Sequence, residues 1–474
     1  MSSTNRTLSW WAHSSTRARL TLAGAALIII ALVTTSVVVW NSPSNPIVKA
    51  VAAVSKEDIA QQKVLHERNA LLSQVVALQK QLAAKQSNLT TTKSQLASIQ
   101  QQLWSAQGQL EAANAAAAAK PSKTTPVKKP TKPSPTAASI SAPSKAEIVA
   151  PNSRYFGMYT EQAPFNWATY DNTATKIGLT PNVVGYFGGW DENFRANAVQ
   201  RAWQRNSLPI LTWEGRPIAD ANDVVDAPDY SLPRVIGDPA AGVPGAFDDY
   251  LRQYARDIVA NGLPLGIRLN HEMNGTWYPW AEDDGNGKSI NGNRPGDYVK
   301  TWQHVHDIFQ EEGANDLVIW IWAPNIINRL PDSHKTPAYL ASLYPGDGYV
   351  DWVGLSAYLR PPFRTNVTYN ASYTLDDSVK QLRSLAKKPI FLAEIGASEI
   401  GGYKPAWITS LFQKLADPAN SDIIGFSWFN LSITTYVQGE LATNDWRIDS
   451  RGDSIDAFKA GLTLPGSNFS LVPK

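Results

Sequence analysis

Short apolar runs alternate with amphipathic stretches through the second part of the chain, from about residue 151 to residue 474. The runs are four to six residues long, the length of a buried strand, and most precede a stretch with the 3.6-residue period of a helix. The eight predicted strands are Tyr155–Tyr159, Asn182–Tyr186, Pro209–Trp213, Leu265–Asn270, Leu317–Trp322, Trp352–Ser356, Ile390–Ala393 and Gly425–Trp428. The predicted helices include Glu192–Arg205, Ala246–Ala260, Tyr298–Glu312, Asp376–Ala386 and Lys404–Leu415.

Eight alternating strand and helix units predict an α/β fold, a (β/α)8 TIM barrel over residues 151–474. The alternative is a doubly wound open sheet, which commonly carries a Gly-rich phosphate loop after its first strand. No such loop follows Tyr155–Tyr159. The closed barrel is therefore favoured.

A different pattern opens the chain, because residues 20–40 are rich in Ile, Leu, Val and Ala and contain no charge. A span of about 20 apolar residues can cross a bilayer as a helix. Arg6, Arg17 and Arg19 precede it, which predicts that residues 1–19 are cytoplasmic and that the rest of the chain is extracellular. We expect a single-pass transmembrane signal anchor in the cell membrane. The alternative is a cleaved signal peptide, whose apolar core is shorter.

Residues 56–113 carry apolar positions spaced by seven, with a second series on the companion register. The two series are Val75, Leu82, Leu89, Leu96, Leu103 and Leu110, and Val64, Leu71, Leu78, Ile99 and Ala106. Heptads of this kind predict a coiled coil, and hence a homo-oligomer. A lone amphipathic helix packed on the later domain is the alternative, but the narrow apolar seam favours self-association.

The range 119–150 is rich in Lys and Pro and predicts an extended linker. Charge separates the two parts of the chain: residues 1–150 contain 16 Lys/Arg and 5 Asp/Glu, whereas the remainder contains 27 and 36. The acidic balance of the second part argues against binding of nucleic acid. The absence of cysteine excludes disulfides, thiolate nucleophiles and zinc sites built on Cys.

Two of the predicted strands lead directly into a glutamate. Glu272 follows Leu265–Asn270, and Glu394 follows Ile390–Ala393. Because the carboxyl ends of barrel strands meet at one face, we expect the two side chains on the same face. Aromatic neighbours would partly desolvate Glu272 and raise its pKa, so that it could hold a proton at neutral pH. Glycoside hydrolysis commonly uses such a pair, one acid and one nucleophile or base.

Further polar and aromatic side chains follow the strand ends. Indole rings stack on sugar rings, and polar side chains bind sugar hydroxyls, so the mixture predicts a carbohydrate-binding cleft. The predicted substrate-binding residues are Arg268, His271, Asn274, Trp277, Trp280, Tyr358, Trp428, Trp190, Trp213 and Glu214. Among the remaining tryptophans, we expect Trp203, Trp302 and Trp320 to lie in the core. Glu214 is an alternative carboxylate partner for Glu272, and Glu399 is a weaker candidate.

The segment His271-Glu272-Met273-Asn274-Gly275-Thr276-Trp277, with Arg268 before it and Trp280 after it, resembles the fourth-strand signature of glycoside hydrolase family 26. Glu394 stands at the matching seventh-strand position, and the resemblance covers roughly residues 151–460. It implies a (β/α)8 barrel that hydrolyses β-linked polysaccharides with retention of configuration, chiefly β-mannan or mixed-linkage β-1,3-1,4-glucan. Neither a cofactor nor a metal is implied.

By the same resemblance, Glu272 would be the acid/base and Glu394 the nucleophile. His271 would adjust the pKa of the acid/base, and Trp277 would line the site near the scissile bond. Tyr358 would hydrogen-bond the nucleophile, and Trp428 would lie beneath the sugar bound next to it. Mannan-acting members present a His after the third strand, whereas this chain has Thr212-Trp213-Glu214. That departure argues against mannan and keeps mixed-linkage glucan or another β-glucan open as the substrate.

Other functions compete with this hypothesis. A metal-dependent hydrolase is suggested by His304 and His306, but two residues apart on a helix they point to different faces. The loop from Glu282 to Asn293 lacks the EF-hand spacing, so we expect a substrate-contacting loop and not a calcium site. The chain could also be a non-catalytic, envelope-anchored carbohydrate-binding protein, or mainly a structural tether. Two strand-end glutamates favour an enzyme over both.

Overall fold

The computed structural model describes residues 140–220, 224–437 and 440–474. Within them, eight parallel strands close into a barrel in which each strand pairs with the next and the last pairs with the first. The strands are β1 Tyr155–Tyr159, β2 Val183–Gly189, β3 Leu208–Glu214, β4 Leu265–Leu269, β5 Val318–Trp322, β6 Trp352–Leu359, β7 Ile390–Ala397 and β8 Ile423–Phe429. The predicted (β/α)8 barrel is confirmed.

A helix follows every strand before the next one begins. These helices are α1 Ala168–Ile177, α2 Ala196–Trp203, α3 Asp248–Asn261, α4 Asp297–Glu311, α5 Pro337–Ser342, α6 Ala371–Leu385, α7 Lys404–Ala416 and α8 Gly452–Leu462. A short helix, Leu232–Ile236, interrupts the connection after β3, and an antiparallel hairpin, Ser432–Val437 with Glu440–Asp445, extends the connection after β8. A two-residue strand, Leu179–Thr180, pairs with Val472–Pro473.

The core lies between the barrel and its ring of helices. Strands such as β5, with the sequence Val-Ile-Trp-Ile-Trp, are buried on both faces, because a parallel barrel is filled with side chains inside and covered by helices outside. Trp203, Trp302 and Trp320 are all buried, as predicted. The indole of Trp320 donates a hydrogen bond of 2.9 Å to the Asn315 side chain, so its polar atom is satisfied within the core.

The folded domain begins before residue 151. A helix at Lys145–Val149 is capped by Ser144 and buries Ile148. Its last carbonyl accepts a hydrogen bond of 3.0 Å from the indole of Trp352, and Lys145 pairs with Asp351 at 2.9 Å. The structure therefore places the end of the 119–150 range, predicted to be linker, on the barrel itself.

The predicted transmembrane helix at 20–40 and the predicted coiled coil at 56–113 lie outside the described residues. Among the residues that the structure describes, no helix is both long enough and apolar enough to cross a bilayer.

Gly425 permits closure of the barrel. It pairs with Tyr155 where β8 meets β1, and its φ of +144° is one that residues with a side chain rarely adopt. A Cβ at this position would overlap the Tyr155 carbonyl oxygen and lie 2.6 Å from its amide nitrogen. Both obstacles are backbone atoms, which cannot rotate away.

Gly425→Ala should therefore destabilise the fold strongly, by about 3 kcal/mol, because it combines backbone strain with overlap at the barrel seam. Chemical denaturation of residues 140–474 measures the change. Gly178→Ala is the matched control, since Gly178 also has positive φ, +78°, but no atom within 4 Å of the added Cβ. Gly178→Ala should lower the free energy of unfolding by only about 1–2 kcal/mol. Equal losses in the two variants would contradict the steric explanation.

Candidate active site

The two strand-end glutamates both lie at the C-terminal face of the barrel. Glu394 lies within β7, in register with Ser356 of β6, and Glu272 lies three residues beyond the end of β4. Each is only 6 % exposed. Glu272 has a φ of +55°, and its amide donates a hydrogen bond of 2.8 Å to the carbonyl of Ala323 after β5. A positive φ on a residue other than glycine costs free energy and is often found at functional sites.

Arg268 connects the two glutamates. Its guanidinium is fully buried, and Nη1 lies 2.5 Å from Oε2 of Glu394, while Nη2 donates to the hydroxyl of Ser356. The Ser356 side chain also acts on Glu272, whose pKa it lowers. Burial alone would lower the pKa of Arg268, but the adjacent carboxylates outweigh it and raise that pKa, so the guanidinium stays charged.

Tyr358 fixes the other oxygen of Glu394. Its hydroxyl donates to Oε1 at 2.5 Å, so both carboxylate oxygens are held. Burial, followed by the charge of Glu394, raises the pKa of Tyr358 well above its ordinary value. The phenol therefore remains a donor across the physiological pH range.

Glu272 has a different environment. Its Oε2 accepts a hydrogen bond of 2.8 Å from the indole of Trp277. Burial and then the charge of Glu394 raise the pKa of Glu272, with Arg268 opposing them. The raised pKa favours the protonated form of Glu272, as an acid requires. Glu394 is bound by the Arg268 cation and the Tyr358 phenol, as a nucleophile requires.

His271 is held neutral. Burial, reinforced by the nearby charges of Arg268 and Arg216, lowers the pKa of His271 well below its ordinary value. Its ring packs 4.8 Å from Tyr278, and its carbonyl accepts a hydrogen bond of 2.8 Å from the indole of Trp280. His271 therefore adds no charge next to Glu272.

Asn274 joins two loops at the rim of the site. Its amide group exchanges two hydrogen bonds of 2.8 Å with the backbone of Asn325, after β5. The ring of His334 lies 2.9 Å from the Asn274 carbonyl and 3.0 Å from Asp283. The loop that carries Glu272 is therefore tied down on both sides.

The structure does not bring all the predicted aromatic residues to the carboxylates. Trp277 and Tyr358 are half-buried and contact them. Trp213 is fully buried and stacks at 4.4 Å on Tyr254 of α3, with Trp190 against its other side at 5.4 Å. Successive strand residues point to opposite faces, so when Thr212 points into the barrel Trp213 must point towards the helices.

Trp428 and Trp280 are also packed internally. The Trp428 indole donates to the carbonyl of Trp446 at 2.6 Å, and its ring lies 5.0 Å from Phe458 of α8. Trp280 stacks on Tyr278 at 4.4 Å. None of these rings offers an exposed face for stacking on a sugar.

Three residues that sequence reasoning missed complete the site. Ser356 and Thr212 both contact the guanidinium of Arg268, and Trp446 packs 4.8 Å from the ring of Tyr358. Ser356 and Thr212 are polar positions inside apolar strand runs, which is a sequence signal for an inward-facing contact. No comparable signal marks Trp446, because it lies beyond the hairpin after β8.

The other candidate acids are paired elsewhere. Glu214 is buried against Arg216 at 2.8 Å, and burial raises the pKa of Glu214. Glu399 pairs with the fully buried Lys404 at 3.0 Å. Neither contacts Glu272 through a described hydrogen bond.

The residues considered for metal binding have partners of their own. His304 lies 2.6 Å from Asp248, and His306 contacts Asn315. In the loop after β4, Glu282 accepts two hydrogen bonds of 2.9 Å from the first amides of α4. Within the described ranges no cluster of three or more His, Asp or Glu residues could hold a metal ion.

A (β/α)8 barrel with two buried carboxyls of different surroundings at its C-terminal face is an arrangement that glycoside hydrolases use. Residues 245–413, which include Glu272 and Glu394, match the model of glycosyl hydrolase family 26. The predicted resemblance to glycosyl hydrolase family 26 is confirmed over these residues.

The chain is 31 % identical over 300 residues to Endoglucanase H of Acetivibrio thermocellus, covering 61 % of this chain and 28 % of that protein. It is 26 % identical over 267 residues to the mannan endo-1,4-β-mannosidase of Bacillus subtilis strain 168, covering 52 % of this chain and 66 % of that protein. The solved catalytic domain of a Bacillus sp. JAMB-750 endo-β-1,4-mannanase has 17 % identity and a TM-score of 0.47, covering 66 % of this chain and 86 % of that one. The chain spans about a quarter of the length of the first two curated relatives it matches, 28 % and 24 %.

The pKa shift of Glu272 predicts a pH-dependent effect on stability. Because its pKa is raised in the folded state, the carboxyl stabilises the fold fully below its unfolded pKa, and that contribution is lost as pH rises through the folded value. Glu272→Gln, which is always neutral, should therefore raise the free energy of unfolding above pH 7 relative to wild type. The difference should vanish towards pH 4.

Glu394→Gln is the matched control, with the opposite expected sign. It leaves the buried Arg268 without its counter-charge, which should cost about 3 kcal/mol near neutral pH. Denaturant midpoints of residues 140–474 measured from pH 4 to pH 8 compare the variants. Destabilisation by Glu272→Gln at high pH would contradict the environment described for Glu272.

Proposed function

We propose that the chain is a retaining endo-β-glycanase, in which Glu394 is the nucleophile and Glu272 the acid/base. The observation that carries this proposal is the buried guanidinium of Arg268, which is paired with Glu394, donates to Ser356 and interacts with the charge of Glu272. It holds two carboxyls with different partners on one face of the barrel. A non-catalytic sugar-binding protein would gain nothing from this costly arrangement.

In the first step, an oxygen of Glu394 attacks the anomeric carbon while Glu272 protonates the departing glycosidic oxygen. The C–O bond to the leaving sugar breaks, and an ester forms between the glycan and Glu394. Arg268 and Tyr358 orient the attacking carboxylate. In the second step, Glu272 removes a proton from water, whose oxygen displaces Glu394 and restores the original configuration.

The raised pKa of Glu272 depends partly on the charge of Glu394. Formation of the ester removes that charge, so the pKa of Glu272 falls while the intermediate exists, and the group becomes a base when one is needed. Hydrolysis of the ester restores the charge and the proton affinity. One carboxyl thus serves both steps.

The substrate class that we propose is a β-linked polysaccharide, β-1,4-mannan or mixed-linkage β-1,3-1,4-glucan. The relatives are named as an endoglucanase and a mannan endo-1,4-β-mannosidase, which supports a β-glycan backbone without choosing between the two. The buried Glu214–Arg216 pair after β3 stands where mannan-acting enzymes present His. Hydrolysis is proposed to need no cofactor.

The proposal is tested by measuring the release of reducing ends from mannan, glucomannan, lichenan and barley-type β-glucan. At least one should be hydrolysed, with products of the β-anomeric configuration at early times. Inactivity of the intact protein on all four would overturn the substrate class. Binding without turnover would instead favour a carbohydrate-binding protein.

Two variants separate the roles of the carboxyls. Glu394→Ala should lower kcat by about 10⁴-fold or more while ligand binding is retained, because no covalent ester can form. Glu272→Ala should lose about 10²–10⁴-fold on the polysaccharide but much less on aryl glycosides, whose leaving groups need no proton. Equal losses on both substrates would mean that the acid/base is misassigned.

We further propose that residues 20–40 anchor the enzyme to the outer face of the membrane and that residues 56–113 associate as a coiled coil. The supports are the uncharged span with its preceding arginines and the heptad stripe. The glycanase would then act near the cell surface as an oligomer.

The association is tested by comparing the mass in solution of residues 41–474 with that of residues 140–474. The longer chain should be a multimer and the shorter one a monomer, because only the longer one contains the heptads. Leu82→Lys with Leu89→Lys should dissociate the longer chain. Monomers of both lengths would rule out the coiled coil.

A further inference from the structure

The loops that follow β5 and β6 bring two arginines together at the rim of the barrel face. Arg329 ends the turn Ile327–Arg329, and Arg360 directly follows the last residue of β6. The Arg329 guanidinium donates a hydrogen bond to the Arg360 carbonyl. Both residues are exposed to solvent.

These positive charges lack counter-ions. Although Arg329 as a whole is exposed, protein atoms around its guanidinium, and then the charge of Arg360, lower the pKa of Arg329 to about 10. Across residues 140–220, 224–437 and 440–474, no carboxylate forms an ion pair with Arg329, Arg360 or the neighbouring Arg364.

Carboxylates are not scarce in this domain. Residues 151–474 hold 36 Asp/Glu against 27 Lys/Arg, and other surface arginines use them. Arg383, for example, pairs with Asp422 at 2.6 Å. The charge of Arg360 acts on that of Arg329, and two like charges without a carboxylate partner are unfavourable unless an anion from outside the chain neutralises them.

The surroundings of the arginines are suited to a sugar. Tyr373, at the start of α6, is 45 % exposed, which is unusual for a large ring, and its carbonyl accepts a hydrogen bond of 3.0 Å from Asn328. Tyr369 supports it at a ring distance of 5.0 Å. An exposed ring beside guanidinium groups can stack on a sugar while the cations bind its substituent.

The arginine pair is connected to the catalytic centre. Arg360 lies two residues after Tyr358, a separation of about 7 Å along an extended strand. The loop that leads to Arg329 is fixed to β6 by a hydrogen bond of 3.0 Å from the Ile326 amide to the Ser356 carbonyl. A glycan held at Glu394 could therefore extend over Arg360.

We propose that Arg329 and Arg360 form a subsite for an anionic substituent of the glycan, the carboxylate of a uronic acid or a phosphate or sulfate ester. The inference rests on the proposed glycanase function and narrows its substrate to an acidic β-glycan. Guanidinium groups bind all three anions through paired, charge-assisted hydrogen bonds.

The test compares a neutral β-glycan oligosaccharide with the same oligosaccharide oxidised at C6 to the carboxylate, using the full chain. Calorimetry with the Glu394→Ala variant measures binding, and the active chain measures kcat/KM. We expect about tenfold tighter binding of the oxidised form, an effect that weakens as salt rises because the subsite is exposed. A 6-sulfated oligosaccharide distinguishes carboxylate recognition from recognition of any anion.

Replacing Arg329 and Arg360 together by Gln should abolish the preference while kcat/KM on the neutral oligosaccharide stays unchanged. Arg256→Gln is the matched control: it removes one exposed charge from α3, where Arg256 pairs with Glu312, and should leave the preference intact. Charge reversal with Arg329→Glu and Arg360→Glu should make the oxidised form the poorer ligand.

Equal binding of the neutral and oxidised forms by the wild type, or a preference that survives both double variants, would overturn the subsite. Failure of the glycanase proposal has a different signature, because the chain would then hydrolyse neither form. The calorimetric preference would still decide whether the arginines bind an anion. Tighter binding of the oxidised oligosaccharide alone supports a uronate subsite. Equally tight binding of the 6-sulfated oligosaccharide supports a general anion subsite.

Discussion

The fully buried guanidinium of Arg268 is the constraint on which the rest of the site depends. A charge in the interior of a barrel is stable only if other groups compensate its lost hydration. Glu394 supplies the opposite charge, and the hydroxyls of Thr212 and Ser356 accept hydrogen bonds from Nη1 and Nη2, while Nε has no hydrogen-bond partner among the described residues. Because these groups come from four different strands, closure of the barrel and assembly of the site are one event. Glu394 is therefore positioned by the core of the fold, and Glu272 by a loop that hydrogen bonds attach to the residues after β5.

The buried position of the site also lowers the stability of the fold. Glu272 is placed by a backbone with positive φ, and its carboxyl is desolvated beside a second acid. Each feature lowers stability, and each has a chemical use: the turn aims the carboxyl, and desolvation keeps it protonated. Arg268 and Trp277 limit the penalty without removing it. The site thus exchanges stability for a buried acid with a raised pKa beside a carboxylate whose two oxygens are both bound.

Much of this architecture could be predicted from the sequence, because strands buried on both faces form uninterrupted apolar runs. All eight strands and both glutamates were found in this way. The orientation of Trp213 and Trp428 could not be predicted, since one residue of register decides whether a side chain enters the barrel or meets a helix. Helices α1, α5 and α8 were not among the helices named from the sequence, and in α1 the buried face includes the polar Thr173. The contacts of Ser356 with Arg268 depend on strand neighbours that are far apart in sequence.

If Glu272 and Glu394 act as proposed, their separation from the rim arginines Arg329 and Arg360 has an electrostatic reason. An anionic substituent bound close to Glu394 would repel the nucleophile and raise the pKa of Glu272 further, which would keep Glu272 protonated when a base is required. A substituent held at Arg329 and Arg360 is neutralised locally, and solvent there screens what charge remains. An enzyme whose own chemistry needs negative charge can therefore accept an acidic polymer only if it binds the acid outside the site. Arg329 and Arg360, which have no carboxylate partner in the part of the chain that the structure describes, satisfy that requirement.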